Sequence, residues 1–394
     1  MVDNKIIVWG IDGFNSLSLL RSLGSEGLDV LFLIKGKADF ASKSKYCKEY
    51  VETSSIEEGY KFLMDNFKLE ASKPIIFTPG DDIMVFMDRH KSEMEKYFIL
   101  PGASVQGDTE RYTDKNEMTE LAQKIGIVCP KSIKVNKKSS IEGVQYPCLI
   151  KPGHEKIGHY NEFKFKVCKN EKQLKRLLKY TRSDSEFIVQ EFVPCKEELL
   201  IYGCRMWDGA TVIAGAIIRD RMASAGTSHG YMTKEIPPFV DVNTVEEFLT
   251  TIDYHGLFSF EYGINCDKAY FFEVNLRNDG TAPFFCQAGT NLPLAYVYSS
   301  IGLDYSEIST EVTETTWFID EIYDVENVIS GKVKRKKWKQ DLERATAFKY
   351  YDKHDEVPFK IVKRGRAKQI IQNFIKKRFR IYIVFVLDKL KSGK

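Results

Sequence analysis

Residues 5–34 do most to limit what this chain can fold into. Ile6-Ile7-Val8-Trp9 is a short apolar run, Gly10 to Ser16 a polar turn, and Leu17 to Leu23 carries apolar residues at helical spacing. Gly27-Leu28-Asp29-Val30-Leu31-Phe32-Leu33-Ile34 is apolar again. Strand, helix and strand in this order predict the opening of a parallel α/β sheet. The turn lacks a full G-x-G-x-x-G pattern, so Gly10 and Gly13 are read as close-packing glycines rather than a dinucleotide site. Lys73 to Phe77 reads as a further strand, with Asp81 and Asp82 at its carboxyl end, where open α/β sheets collect ligands, but read by preference as caps of the helix that follows, and Phe98 to Gly102 as one more strand. This first α/β domain is expected to close near residue 107.

The second half changes pattern. Tyr146 to Pro152 reads as a strand with Lys151 at its end, then comes a small, polar stretch (Gly153 to Tyr160), then strict alternation over Phe163 to Val167. Phe187 to Val193 reads as a buried strand that flows into Glu197-Glu198 and the strand beyond. Asp208-Gly209 marks a hairpin, Thr211 to Ile218 its return, and Ala223 to Lys234 is expected to be a polar loop. Leu257 to Ile264 and Ala269 to Asn275 are expected to pair as a hairpin. In Phe271-Phe272-Glu273-Val274-Asn275-Leu276-Arg277, an acid, an amide and an arginine stand two residues apart, so a regular strand points all three the same way. Oxygen ligands beside a fixed cation suit a metal-bound polyphosphate, because Mg²⁺ takes hard oxygen donors and arginine grips phosphoryl oxygens in a planar fork. An ordinary amphipathic strand with a solvated face is the plain alternative.

Taken together, the parts resemble the ATP-grasp superfamily, and within it the carboxylate–amine (amino-acid) ligases, over roughly residues 1–300. The resemblance implies an α/β fold with an α+β core. A parallel-sheet pre-ATP-grasp domain (1–107) would precede the ATP-grasp domain (108–310, small lobe about 118–190). A C-terminal extension with a basic amphipathic helical tail (311–394) would follow. It also implies site residues. Lys115 and Lys151 would be the phosphate-side lysines, and Gly153 to Tyr160, with His154 and Lys156, the loop over the phosphates. Gln190, Glu191, Phe192 and Val193 would form the linker that reads adenine, and Glu198 would hold the ribose, with Glu197 as its substitute. Glu261, Glu273 and Asn275 would bind one or two Mg²⁺, or Mn²⁺, and Arg277 would meet the transferred phosphoryl group. The loop is less glycine-rich than many in the family. Each residue alone has a plain reading as a solvated charge; only their order carries the resemblance.

The implied chemistry is amide formation. ATP phosphorylates a carboxylate, and an amine displaces phosphate from the acyl phosphate, with Lys151 and Arg277 stabilising the charge in flight. Arg219, Arg221, His229 and Asp279 are candidates for the substrate side, with equally good readings as caps or solvated loop groups. An arginine pair would favour an acidic amino acid or a sugar acid. Alternatives keep the fold and change the outcome: a phosphotransferase, a carboxylase-type enzyme, or a non-catalytic nucleotide-binding scaffold. No biotinyl-carrier segment is visible.

Charge and cysteine usage set the surroundings. Of the 394 residues, 331–394 hold 21 Lys and Arg against 6 Asp and Glu, a net of +15. The other 330 residues hold 37 against 49, a net of −12, within a total of +3. A basic tail on an acidic body points to an anionic partner surface. Ile370 to Arg380 alternates apolar and basic residues at helical spacing and ends in Ile381 to Leu387. That suits peripheral contact with the inner face of a membrane, and a lipid-linked or cell-envelope precursor as substrate. Docking of the tail on the protein's own acidic body is the alternative. No nucleic-acid module accompanies the basic residues. Eight cysteines without a C-x-x-C pair argue against zinc and for a reducing cytoplasm. No signal peptide is expected, and no apolar run approaches the ~20 residues of a spanning helix.

Overall fold

The structure is a computed structural model that describes residues 2–152, 163, 165–181, 185–195, 197–370 and 372. Its first sheet is parallel, ordered β3-β2-β1-β4, with β1 Ile6–Gly10, β2 Val30–Lys35, β3 Glu49–Thr53 and β4 Ile75–Phe77. All of β1 is buried. Ile6 and Val8 face one core with Leu17 and Leu20 of the helix Phe14–Gly24. Ile7 and Trp9 face the other core, with Leu63 and Ile83 from the helices Ile56–Phe67 and Asp81–Arg89. A strand with helices on both faces has no solvent side, which is why its sequence does not alternate.

The strand expected over 98–102 is reduced to a single bridge between Ile99 and Ile75. The pairing moves one step on: β5 Gly102–Ala103 joins a strand of the large sheet opposite Tyr254 and His255. The first domain is thus stitched directly to the second.

A small antiparallel sheet follows, ordered β6-β9-β7-β8, from β6 Ser132–Val135, β7 Cys148–Pro152, β8 Lys166–Cys168 and β9 Phe187–Glu191. The helix Glu171–Lys179 covers it with Leu174 and Leu178. The large sheet is ordered β14-β13-β10-β11-β12-β15-β16. Its strands are β10 Glu197–Arg205, β11 Thr211–Ala223, β12 Gly226–Thr233, β13 Tyr254–Asn265, β14 Lys268–Asn275, β15 Thr316–Ile319 and β16 Ala347–Phe348. β13 and β14 meet across Cys266-Asp267, with φ of 49° and 56°. Two left-handed residues match the twist of a tight hairpin, and Asp tolerates that conformation better than most side chains.

Two expectations need correction here. The stretch 223–234 is not a loop but largely β12, paired to β11 on one side and to β15 on the other. Its Ser, Gly and His residues have weak strand preference, and the pairing on both edges overrides it. The segment after residue 310 is not an appendage in its first part. β15 and β16 complete the large sheet, and the helix Arg335–Arg344 is pinned by Asp341, which accepts from Arg221 Nη1 at 2.7 Å and Lys337 Nζ at 2.6 Å. The amphipathic stretch after residue 372 lies outside the described residues, and no helix among those described is long and apolar enough to cross a membrane.

Candidate active site

The register of β13 and β14 decides the geometry. Glu261 stands opposite Glu273 and Ser259 opposite Asn275, so four polar side chains share one face of the hairpin. Asn275 Nδ2 donates to Ser259 Oγ at 3.1 Å and Glu261 Oε1 at 3.5 Å, which turns its Oδ1 toward Arg277 Nη2 at 3.3 Å. Arg277 reaches further, to the first domain. Its Nε and Nη2 take both oxygens of Asp81, the latter at 3.0 Å, and its Nη1 donates to the carbonyl of Asn278 at 3.1 Å. Burial opposes the charge on Arg277, yet Asp81, with Asp279 and Glu273, holds its pKa above the ordinary arginine value.

Two cavities meet on this wall. One, of about 670 Å³, is lined by Asp114, Lys115 and Asn116 at the start of the helix Lys115–Lys124, and by Lys134 and Glu186. The other, of about 600 Å³, lies between the first domain and the large sheet, lined by Asn15, Lys35, Asp82, Glu261, Thr227 and Lys349 among others. Glu273, Asn275 and Arg277 line both.

Lys151, at the end of β7, has its pKa pushed down to about 8. Loss of water is the larger cause and the Lys115 ammonium the second, with Glu273 acting in the opposite sense. A polyphosphate would offset both the lost hydration of Lys151 and the repulsion from Lys115, so the donor set fits one. Glu261, Glu273 and Asn275 fit a hard divalent cation in the same way, through oxygen donors only. Among the described residues no group of three or more His, Cys, Asp or Glu is placed to hold a metal ion, and the set at this wall is two acids and an amide.

Glu198 lies opposite Arg219 on the adjacent strand and pairs with it, and Arg219 also approaches Glu261 at 3.6 Å. Arg219 therefore ties the candidate ribose acid to the candidate metal acid. Glu197 precedes Glu198 as the exposed first residue of β10. Gln190 is buried and Glu191 exposed at the end of β9, followed by Phe192 and Val193 in the crossing between the two sheets. Gly153, His154 and Lys156 lie outside the described residues.

Arg221 and His229, expected near substrate, are spent inside the fold instead. A register shift separates Arg219 from Arg221. Arg221 then pairs with Asp324 at 3.0 Å and Asp341 at 2.7 Å, while His229 is buried with Nδ1 2.6 Å from Asp220. Both pairs depend on residues from beyond 320 or on strand register, neither visible locally. Asp279 does line the second cavity, but its oxygens accept from Ser259 Oγ at 3.0 Å and from Thr281 N at 2.8 Å and Oγ1 at 2.6 Å. Sequence reasoning missed Lys35 and Lys349 and preferred a capping role for Asp81. Lys35 pairs with Asp82 at the cavity. Lys349 is 2% exposed, 3.3 Å from Asp320, with its ammonium 4.2 Å from the Phe14 ring centroid. The only local signal was Asp81-Asp82 at a strand's carboxyl end, where open α/β sheets collect ligands.

Comparison with known proteins bears on the fold. A scan of family models returned no match. An N5-carboxyaminoimidazole ribonucleotide synthetase solved as its ADP complex superposes with a TM-score of 0.65 at 14% identity, covering 84% of this chain and 85% of that one. An L-amino acid ligase from Bacillus licheniformis gives 0.62 at 15%, covering 80% and 79%. The chain has the ATP-grasp fold. By sequence it is 25% identical over 304 residues to the C-terminal section of the carbamoyl phosphate synthase large chain of Aquifex aeolicus, covering 66% of this chain and 55% of that one. It is 22% identical over 266 residues to the D-aspartate ligase of Enterococcus faecium, covering 60% and 61%. The chain thus spans little more than half the length of the first of these curated relatives. The resemblance to ATP-grasp proteins of the carboxylate–amine ligase type is borne out.

Proposed function

We propose that this ATP-grasp chain is an ATP-dependent ligase that joins a carboxylate to an amine through an acyl phosphate. One observation carries the reading: the cavity flanked by Lys115 and the cavity beneath the first domain share Glu273, Asn275 and Arg277 as a common wall. A phosphoryl group passing from nucleotide to carboxylate must cross such a boundary, and fixed charge at the crossing lowers its barrier. In this reading Lys115 and Lys151 hold the phosphates, and Gln190 to Val193 and Glu198 hold the nucleoside. Glu261, Glu273 and Asn275 hold Mg²⁺, which neutralises phosphoryl charge when bound. Arg277 follows the charge that develops between donor and acceptor. The carboxylate and amine occupy the second cavity, whose about 600 Å³ suits a small molecule. No enzyme nucleophile takes part.

Similarity to a D-aspartate ligase and to an L-amino acid ligase supports an amino acid as one substrate, with a sugar acid as the next choice. The exposed Lys332, Lys334, Lys336 and Lys339 around the helix Arg335–Arg344 favour peripheral contact with an anionic membrane face, and with it a lipid-linked precursor as the second substrate. Incubation with Mg²⁺-ATP and pools of amino acids and amino sugars tests the reading. Amine-dependent ADP release with an amide product supports it. ADP without amide points to a phosphotransferase or carboxylase-type enzyme, and no turnover in any pool to a scaffold.

A further inference from the structure

Asp81 opens the helix Asp81–Arg89, where an acid would ordinarily serve as a cap. It does not cap: the N-cap residue is Gly80, and Ile83 N donates to Asp82, not Asp81. The carboxylate of Asp81 instead takes the Nε and Nη2 edge of Arg277, 196 residues away, across the seam between the first domain and the large sheet. We infer that Asp81 is the positioning residue for Arg277. It holds the guanidinium at the wall between the two cavities with one edge committed and the Nη1 corner left for a phosphoryl oxygen. This rests on the proposed role of Arg277 at the transferred phosphoryl group.

The donor inventory supports the assignment. A guanidinium has five N–H donors. Nε and one Nη2 hydrogen go to Asp81, the other Nη2 hydrogen to Asn275 Oδ1, and one Nη1 hydrogen to the Asn278 carbonyl. One Nη1 hydrogen is left over. Asp279 and Glu273 also act on the charge of Arg277. Without Asp81, the arginine would collapse toward Glu273 and compete with the cation that Glu273, Glu261 and Asn275 are placed to bind. Asp81 therefore works in two ways: it aims the fork, and it keeps the fork off the metal ligands. Its side chain is 51% exposed, so the pair adds little to global stability, and its value lies in where it puts Arg277. A bidentate fork also explains why lysine would not serve.

The test uses the full chain and reads nucleotide affinity rather than product. The Mg²⁺-bound β,γ-imido analogue of ATP and Mg²⁺-ADP are titrated calorimetrically into wild type, Asp81→Asn, Arg277→Lys and the double variant. The preference for the triphosphate should fall about tenfold in Arg277→Lys, as expected for one charge-assisted contact, and about three- to tenfold in Asp81→Asn. The double variant should lose no more than Arg277→Lys alone, because Asp81 acts only through Arg277. Asp81→Glu, which keeps the carboxylate, should retain most of the preference. A merely structural role would weaken both nucleotides alike and lower the melting temperature. The inference is overturned if the two losses add, if Asp81→Asn leaves the preference intact, or if Arg277→Lys has no effect on it. Failure of the ligase reading looks different: the nucleotide preference and its coupling survive while no pool yields an amide.

Discussion

The depressed pKa of Lys151 makes binding of an anion at this site proton-linked. Burial, and after it the Lys115 ammonium, push this group from the ordinary lysine range down to about 8, worth about 3 kcal/mol between its two protonation states. The sign follows from proton counting. Between pH 8 and about 10.5 the unfolded chain binds the proton more than the folded one does, so stability should rise with pH across that window, with the full penalty present below pH 8. A polyphosphate between Lys115 and Lys151 removes the repulsion and restores the proton. At pH 8, where Lys151 is half neutral, Mg²⁺-ATP binding should then take up about 0.5 proton, and at pH 7 only about 0.1. Calorimetry in two buffers of different ionisation enthalpy measures the uptake directly. Lys115→Met, which removes the second cause of the shift, should reduce it, and Lys151→Met should abolish it. Zero uptake at pH 8, or an uptake that Lys151→Met leaves unchanged, would refute the reasoning.

Other perturbations probe separate parts. Glu273→Gln removes one of two opposed carboxylates and should cut turnover at least ~100-fold, with partial recovery at high Mg²⁺; full activity would sink the metal assignment. Asp341→Ala removes the carboxylate that Arg221 and Lys337 share, while Asp324 keeps Arg221 paired, and should cost about 1–2 kcal/mol in urea unfolding; a loss within the fraction of a kcal/mol expected of a surface pair would refute its pinning role. Reversing charge at the exposed Lys336 and Lys339 should weaken sedimentation with phosphatidylserine vesicles at low salt, leaving any ligase turnover intact; equal binding by the variant would remove this surface from consideration.

How far the sequence could be read depended on whether the relevant pairing was local. The β13–β14 hairpin spans only residues 254–275: strand alternation put Glu273 and Asn275 on one face, and the resemblance added Glu261 from the partner strand. The N-cap of the helix bearing Lys115 was legible to within one residue, Thr113 or Asp114, and Asp114 takes it, because capping is decided within three residues. The strand β12 was misread because Thr227 to Met232 has little intrinsic strand preference and owes its form to β15, about 90 residues on. Arg221 was misassigned for the same reason: what neutralises it, Asp324 and Asp341, lies over 100 residues downstream.

The sequence by itself determined the parallel opening sheet, the order of lysines and acids along the chain, and the common face of Glu273 and Asn275. Short-range sterics and side-chain alternation are enough for those. Only the tertiary structure decided that Asp81 grips Arg277, that Lys349 closes the second cavity from a strand near residue 348, and that Lys115 stands close enough to Lys151 to lower its pKa. These depend on distances between groups far apart in the chain, and electrostatic interaction depends on distance in space, not in sequence.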